Sequence, residues 1–181
     1  SKRNTLTSVA SRSLDTAIAY AREHHIPQAL GSYEALLDDP EVDVIYISLP
    51  NHLHARWTIR AVQAGKHVLC EKPLALTTIE VDAMIHASRD AEKVISEAFM
   101  YRHHPQTLKI QELIAGGKIG HVQMVKGAFS YHLTNNSDVR MDPAMGGGSL
   151  WDVGCYPLSY ARMILGKEPE EVFAWQTSAP S

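Results

Sequence analysis

The chain has 181 residues, with 17 Lys+Arg against 20 Asp+Glu and a formal net charge of −3; 45% of the residues are hydrophobic and 20% charged. This is globular composition, which excludes a disordered chain and a strongly basic nucleic-acid-binding face. No stretch is apolar for long enough to span a bilayer, none reads as a signal peptide, and the two cysteines, Cys70 and Cys155, make no disulfide framework. A reducing, cytoplasmic setting is expected, with neither nucleic acid nor membrane as partner.

Leu6–Ala10 opens the pattern as an apolar run read as a buried strand. Residues 14–25 follow as a helix, with Leu14, Ala17, Ile18 and Ala21 on one face. Val44–Leu49, within DVIYISL, is close to continuously apolar, as a parallel strand covered on both faces should be. Residues 54–65 repeat the helical spacing with Ala55, Ile59 and Val62, and Gly65 is a fitting stop. His67–Cys70 is the next strand. Thr77 followed by Glu80 is a capping box ahead of Val81, Met84 and Ile85, and Val94–Phe99 is the last strand of the series. Strand and helix alternating through short links predict a doubly wound, parallel α/β sheet.

The pattern changes near residue 102. A helix from Pro105 to Ala115 stops at Gly116–Gly117, and His121–Leu133 alternates as an antiparallel-type strand does. After a polar loop come Gly146, Gly147 and Gly148, then a helix from Asp152 to Leu165 with Pro157 in its first turn.

Ligands of open α/β sheets bind beyond the carboxyl ends of the strands. The predicted strands are followed by Ser11-Arg12-Ser13, by Pro50-Asn51-His52-Leu53-His54, by Glu71-Lys72-Pro73 and by Tyr101-Arg102-His103-His104, all polar and mostly charged. A dinucleotide-binding domain opens with a strand and a G-x-G-x-x-G loop, and this chain contains no such loop; the triple glycine runs on into Ser149-Leu150-Trp151. The expectation is that the first strand and phosphate loop lie upstream of residue 1. Arg12 follows a strand end where NAD-dependent enzymes carry an acidic residue for the ribose hydroxyl; with Ser11 it offers a hydroxyl and a cation that suit a 2′-phosphate instead.

The runs ASRS, DVIYISLPNHLHARWTIRAVQAGKHVLCEKPLALT, EAFMYRHHP and GGGSLWDVGCYPLSYAR resemble the glucose-fructose oxidoreductase / inositol dehydrogenase / MocA-type superfamily, with GKHVLCEKP the most specific signature. Asp152 and Tyr156, within DVGCY, are similar to the branch holding dihydrodiol dehydrogenase, xylose dehydrogenase and glucose-fructose oxidoreductase. The resemblance covers essentially the whole chain and implies a fragment. Residues 1–101 would be a partial NAD(P)-binding Rossmann domain, and 102–181 part of an α+β substrate domain with an open, largely antiparallel sheet. It further implies NADP as cofactor, with NAD as the alternative, a carbohydrate or polyol substrate, homo-oligomers formed through that sheet, and a cis peptide before Pro73. Tyr33 would lie near the adenine, Asn51 and His54 by the cofactor with Pro50 lining its path, Glu71 and Lys72 in the cleft, and Arg102 and Arg140 near cofactor or substrate.

A tyrosine that takes an alcohol proton at neutral pH needs help, because the free phenol titrates near ~10. A lysine ammonium favours the phenolate, so Tyr156 with Lys72 is a chemically sensible acid/base pair, and Asp152, four residues from Tyr156, can orient substrate or lysine. The three glycines are expected to let backbone approach nicotinamide and substrate closely. The ten histidines offer no zinc spacing, and no metal is expected. Two other readings stay open: a regulator of the same superfamily that binds nucleotide or sugar without turnover, and a fragment without activity. The Lys72, Asp152 and Tyr156 set is the feature that separates an enzyme from a binder.

Overall fold

The computed structural model describes residues 4–135 and 137–177. They fall into two compact units, one within Ser1–Ala98 plus Ser137–Gly148, the other within Phe99–Asn136 plus Ser149–Ser181.

The first unit is a parallel α/β assembly. β1 (Ser8–Ala10) leads to α1 (Leu14–Glu23), β2 (Gln28–Leu30) to α2 (Tyr33–Leu37), β3 (Val44–Ile47) to α3 (His54–Gln63), β4 (His67–Cys70) to α4 (Thr78–Asp90), and β5 (Ile95–Glu97) closes the series. β1 pairs with β2, and β4 pairs with β3 and β5, every pair parallel, with Ser8 opposite Gln28, Val44 opposite His67 and Val68 opposite Ile95. The order is therefore β2-β1 and β3-β4-β5 in two separately bonded sheets. In a dinucleotide-binding sheet ordered 3-2-1-4-5-6, strand 1 separates such groups.

The helices form where their sequences dictate. Ser13 and Ser32 cap α1 and α2, and Thr77 and Glu80 make a reciprocal capping box at the start of α4. α3 buries His54, Ala55, Trp57, Thr58, Ala61 and Val62, an i, i+3, i+4, i+7 stripe, against β3, β4 and α4. That stripe meets Ile45, Ile47, Val68 and Cys70 in the main core, while Ala55, Ala75 and Met84 form a second cluster. Each such large apolar side chain, fully buried, contributes about 1.5–3 kcal/mol.

Two strand expectations need correction. β2 was not anticipated; its three residues carry no apolar run, and its pairing with β1 makes it a strand. The expected cover on both faces of β3 is present on one: along Val44–Ile47 burial alternates, and Val44, Tyr46 and Leu69 remain 59%, 55% and 38% exposed opposite the α3–α4 face.

The second unit contains α5 (Pro105–Ala115), with Pro105 at its first position, and α6 (Cys155–Leu165), which ends at the left-handed Gly166. The expected antiparallel sheet is not seen. Residues 121–133 form no strand, because a strand needs a neighbour for its N–H and C=O groups and none lies alongside among the described residues. The stretch docks by side chains instead: Phe129 packs on Tyr156, and a Cβ on Gly127 would lie 2.8 Å from Pro157.

Candidate functional site

The first unit gathers polar groups where its strands end. Ser11 N–H donates to the Leu30 carbonyl (3.1 Å), and Ser13 turns the chain into α1, so Arg12 stands exposed between them. Arg12 lines a cavity of about 430 Å³ with Tyr33, Glu34, His52, Arg56 and Trp57. Tyr33 meets Trp57 edge-on, with centroids 4.9 Å apart. The Arg60 guanidinium lies over the Trp57 ring at 4.3 Å and bonds Glu34 Oε1 at 2.7 Å, and that bond holds the Glu34 carboxyl below the usual carboxylate range.

After β3, Pro50 starts a short 3₁₀ turn, Asn51–Leu53. Asn51 Nδ2 donates to the Gly146 carbonyl (2.9 Å), and His52 Nδ1 lies 3.3 Å from the Met145 carbonyl. His54 is fully buried, with Nδ1 and Nε2 each 2.7 Å from a carbonyl, of Pro73 and Leu49 respectively. Both partners accept, so a neutral imidazole donates to one and an imidazolium to both. His54 thereby braces the turns after β3 and β4 from within the core.

After β4, Glu71 accepts from Tyr46 Oη (2.5 Å) and from the Lys72 backbone N–H (3.2 Å). Lys72 is half-buried and precedes Pro73 through the expected cis peptide. Leu74 N–H donates to Glu97 Oε1 (2.8 Å), fastening the far side of this turn to the end of β5. Below it, burial pushes the Cys70 thiol up to about 12, the Thr58 hydroxyl opposing and the Glu97 and Glu71 carboxylates adding to it.

Residues 137–148 return to the first unit, which the sequence did not reveal. Arg140 binds the Asp138 carboxylate through Nη1 (3.0 and 3.1 Å) and its own N–H (2.9 Å), and that N–H leads in holding Asp138 below the usual range. Gly146 has φ +78°, and a Cβ there would fall 2.8 Å from Leu76 and 2.9 Å from Asn51; on Gly147 it would meet the Arg140 and Asp142 carbonyl oxygens at 2.6 and 2.7 Å. Gly146 and Gly147 thus let the loop approach Asn51, Leu76 and itself closely.

In the second unit, Leu150–Gly154 is a π-helical turn rather than the first turn of an α-helix, and such widened turns are frequent at functional sites. It carries Asp152, whose carboxylate accepts from Tyr131 Oη. Tyr156 follows in α6, its ring 5.5 Å from Phe99, 6.0 Å from Tyr101 and 5.4 Å from Phe129, with its hydroxyl 3.7 Å from Met100 Sδ. Arg102 Nη2 donates to Ser159 Oγ (2.7 Å), which also accepts from Tyr101 Oη (2.9 Å). The first unit therefore gathers Ser11, Arg12, Tyr33, Pro50, Asn51, His54, Glu71, Lys72 and Arg140, and the second Arg102, Asp152 and Tyr156.

Sequence reasoning passed over Glu34, Arg56, Trp57 and Arg60. The available signal was the spacing of Arg56 and Arg60, four apart on a helix and flanking Trp57.

Residues 1–99 match a family described as an oxidoreductase family with an NAD-binding Rossmann fold, and residues 107–181 match the GFO/IDH/MocA C-terminal domain. The chain is 48% identical over 170 residues to D-xylose 1-dehydrogenase (NADP(+)) 2 of Haloferax volcanii, covering 93% of this chain and 52% of that protein. Among solved structures it resembles the aldose-aldose oxidoreductase of Caulobacter crescentus complexed with glycerol (TM-score 0.85, 34% identity, 91% of this chain and 51% of that one). It also resembles a 3-ketoreductase from Actinomadura kijaniata in complex with NADP and TDP-benzene (TM-score 0.82, 35% identity, 88% and 49%). The chain spans about half the length of the curated relatives it matches.

Proposed function

This chain belongs to the GFO/IDH/MocA oxidoreductase family, and on that premise we propose that the whole protein is an NAD(P)-dependent dehydrogenase. Its substrate would be a carbinol carbon of a sugar, cyclic polyol or dihydrodiol, with NADP the preferred cofactor. The observation that carries the reading is the polar rim of the first unit: Arg12, Asn51 and Lys72 follow β1, β3 and β4, the strand ends at which sheets of this order hold dinucleotides. The donor set fits such a ligand, since a cation and two aromatic rings line the cavity at the end of β1.

The nicotinamide, when bound, supplies the hydride acceptor or donor. In this reading Ser11 and Arg12 hold the adenosine phosphate and Tyr33 flanks the base. Pro50 and Asn51, set by the His54 brace, line the cofactor's path, with Glu71 and Lys72 further along it. Arg102 and Arg140 position cofactor or substrate. Tyr156 exchanges the hydroxyl proton, Lys72 stabilises the phenolate, and Asp152 orients the substrate. The NADP(+) in the name of the Haloferax relative and the NADP and glycerol in the related structures support the choice of cofactor and of a polyol-like substrate.

Tyr156→Phe in the whole protein tests the reading, because it removes one hydroxyl and keeps the ring. Followed by NADPH absorbance over a panel of aldoses, polyols and dihydrodiols, turnover is expected to fall about 10²–10⁴-fold, the size of a general acid/base contribution. Dinucleotide affinity should move little. Parent-like turnover would reduce Tyr156 to packing; dinucleotide binding with no turnover by the parent on any substrate would make the protein a sensor.

A further inference from the structure

The cavity at the end of β1 holds more charge than Arg12 brings. Arg56, exposed in the first turn of α3, lines it as well, and Glu34 is the single carboxylate among its lining residues. That carboxylate is already engaged by Arg60, which is itself seated on the Trp57 ring. Two arginines thus line a cavity whose one acid is paired with Arg60, an arrangement that suits a doubly charged oxyanion better than a neutral hydroxyl. The Tyr33 and Trp57 rings, edge to face, give the same cavity an apolar wall suited to a purine.

We propose that Arg56 joins Arg12 in binding the 2′-phosphate of the adenosine moiety, and that Arg60 is a positioning residue that keeps Glu34 from repelling it. The inference rests on the dehydrogenase reading above and deepens it: cofactor choice is set by α3 as well as by the β1 end. A single arginine after the strand gives attraction but leaves Glu34 facing the phosphate. The Arg60–Glu34 bond removes that repulsion, and Arg56 adds a second cation whose proximity is felt at Glu34, where it helps hold the carboxyl in its charged form.

The test measures NADPH and NADH affinity, and competition by adenosine 2′,5′-bisphosphate against adenosine 5′-monophosphate, in the whole protein and its variants. Arg56→Gln should weaken NADPH and the bisphosphate about 10- to 150-fold, the loss of one charge-assisted contact, and change NADH and the monophosphate less than about threefold. Arg56→Lys should retain part of the preference. Arg60→Gln should lower NADPH affinity several-fold, and Glu34→Gln in the same chain should restore it; a merely structural Arg60 would show no such rescue. Equal loss for both dinucleotides on Arg56→Gln would place Arg56 against the base or in the fold and overturn the inference. So would an unchanged preference. A parent that binds both dinucleotides alike would overturn the inference and leave the dehydrogenase reading standing; a parent that binds neither would overturn both.

Discussion

Gly146 and Gly65 form a matched pair for measuring how tightly residues 137–148 are held. Both lie in the first unit with nearly the same left-handed backbone, φ +78° and +80°. Around Gly65 nothing lies within 4 Å of an added Cβ, whereas at Gly146 the Cβ would fall 2.8 Å from Leu76 and 2.9 Å from Asn51 Cβ. Alanine at Gly65 should therefore cost only the left-handed penalty, roughly 1–2 kcal/mol. At Gly146 the same penalty is joined by overpacking of about 1–3 kcal/mol, for a total of roughly 2–5 kcal/mol. The Leu76 methyls can rotate away; Asn51 Cβ is fixed by its turn, and its amide bonds the Gly146 carbonyl. Equilibrium denaturation in guanidinium followed by far-ultraviolet circular dichroism gives both values. Hydrogen exchange at the Gly147 and Gly148 amides, which donate to Asp142 and Arg140, shows whether the loop lifts off first. If Gly146→Ala costs no more than Gly65→Ala, the loop is not packed on Asn51 and the account of the triple glycine is wrong.

Three further outcomes follow from the site. Arg12→Ala in the whole protein should weaken NADP about 10- to 150-fold and NAD little; equal losses in a binding titration would mean that Arg12 touches only the base. With a thiol reagent near neutral pH, Cys155 should react first and Cys70 only after unfolding, because Cys70 is fully buried and its thiol, at about 12 against an ordinary 9.0, yields roughly a thousandfold less thiolate; peptide mapping showing native Cys70 labelling would refute this. Glu34 has its folded value below the ordinary 4.5 through the Arg60 bond, so its contribution to stability is complete above that value and is lost as pH falls through the folded one. The stability gap between parent and Arg60→Gln should thus be constant from pH 7 to 5 and close below about pH 4.5; a gap that persists in acid would assign Arg60's effect to its stacking on Trp57.

What was legible in the chain was local or strictly periodic. The capping box at Thr77 and Glu80, proline at the start of α5 and the α3 stripe each follow from residues within a few positions of one another, and each stands in the fold. So do the strand ends at Ala10 and Cys70, while β3 and β5 stop at Ile47 and Glu97, two residues short of the expected Leu49 and Phe99. What stayed hidden depends on partners distant in sequence. Asn51 and Gly146 are 95 residues apart, and no local pattern announces that residues 137–148 belong with the first unit. Residues 121–133 alternate as a strand should, yet pairing is a property of two segments, and the side chains of this one found α6 instead. The cavity lined by Arg56 needed α3 to be laid beside the ends of β1 and β2 before its two cations could be counted together.

The buried imidazole of His54 has a consequence for anyone who would rebuild this rim. Its ring touches the last carbonyl before the Pro50 turn and the carbonyl of Pro73, one residue past Lys72. The two loops therefore share a hinge pin and are not interchangeable parts. Grafting a foreign loop after β3 would shift the anchor of the turn that carries Lys72, even if every new residue lay far from it. Conversely, an insertion beside Pro73 would be felt at Asn51 and, through its amide, at Gly146. Rebuilding this rim means exchanging both loops together with the histidine between them, as one cassette.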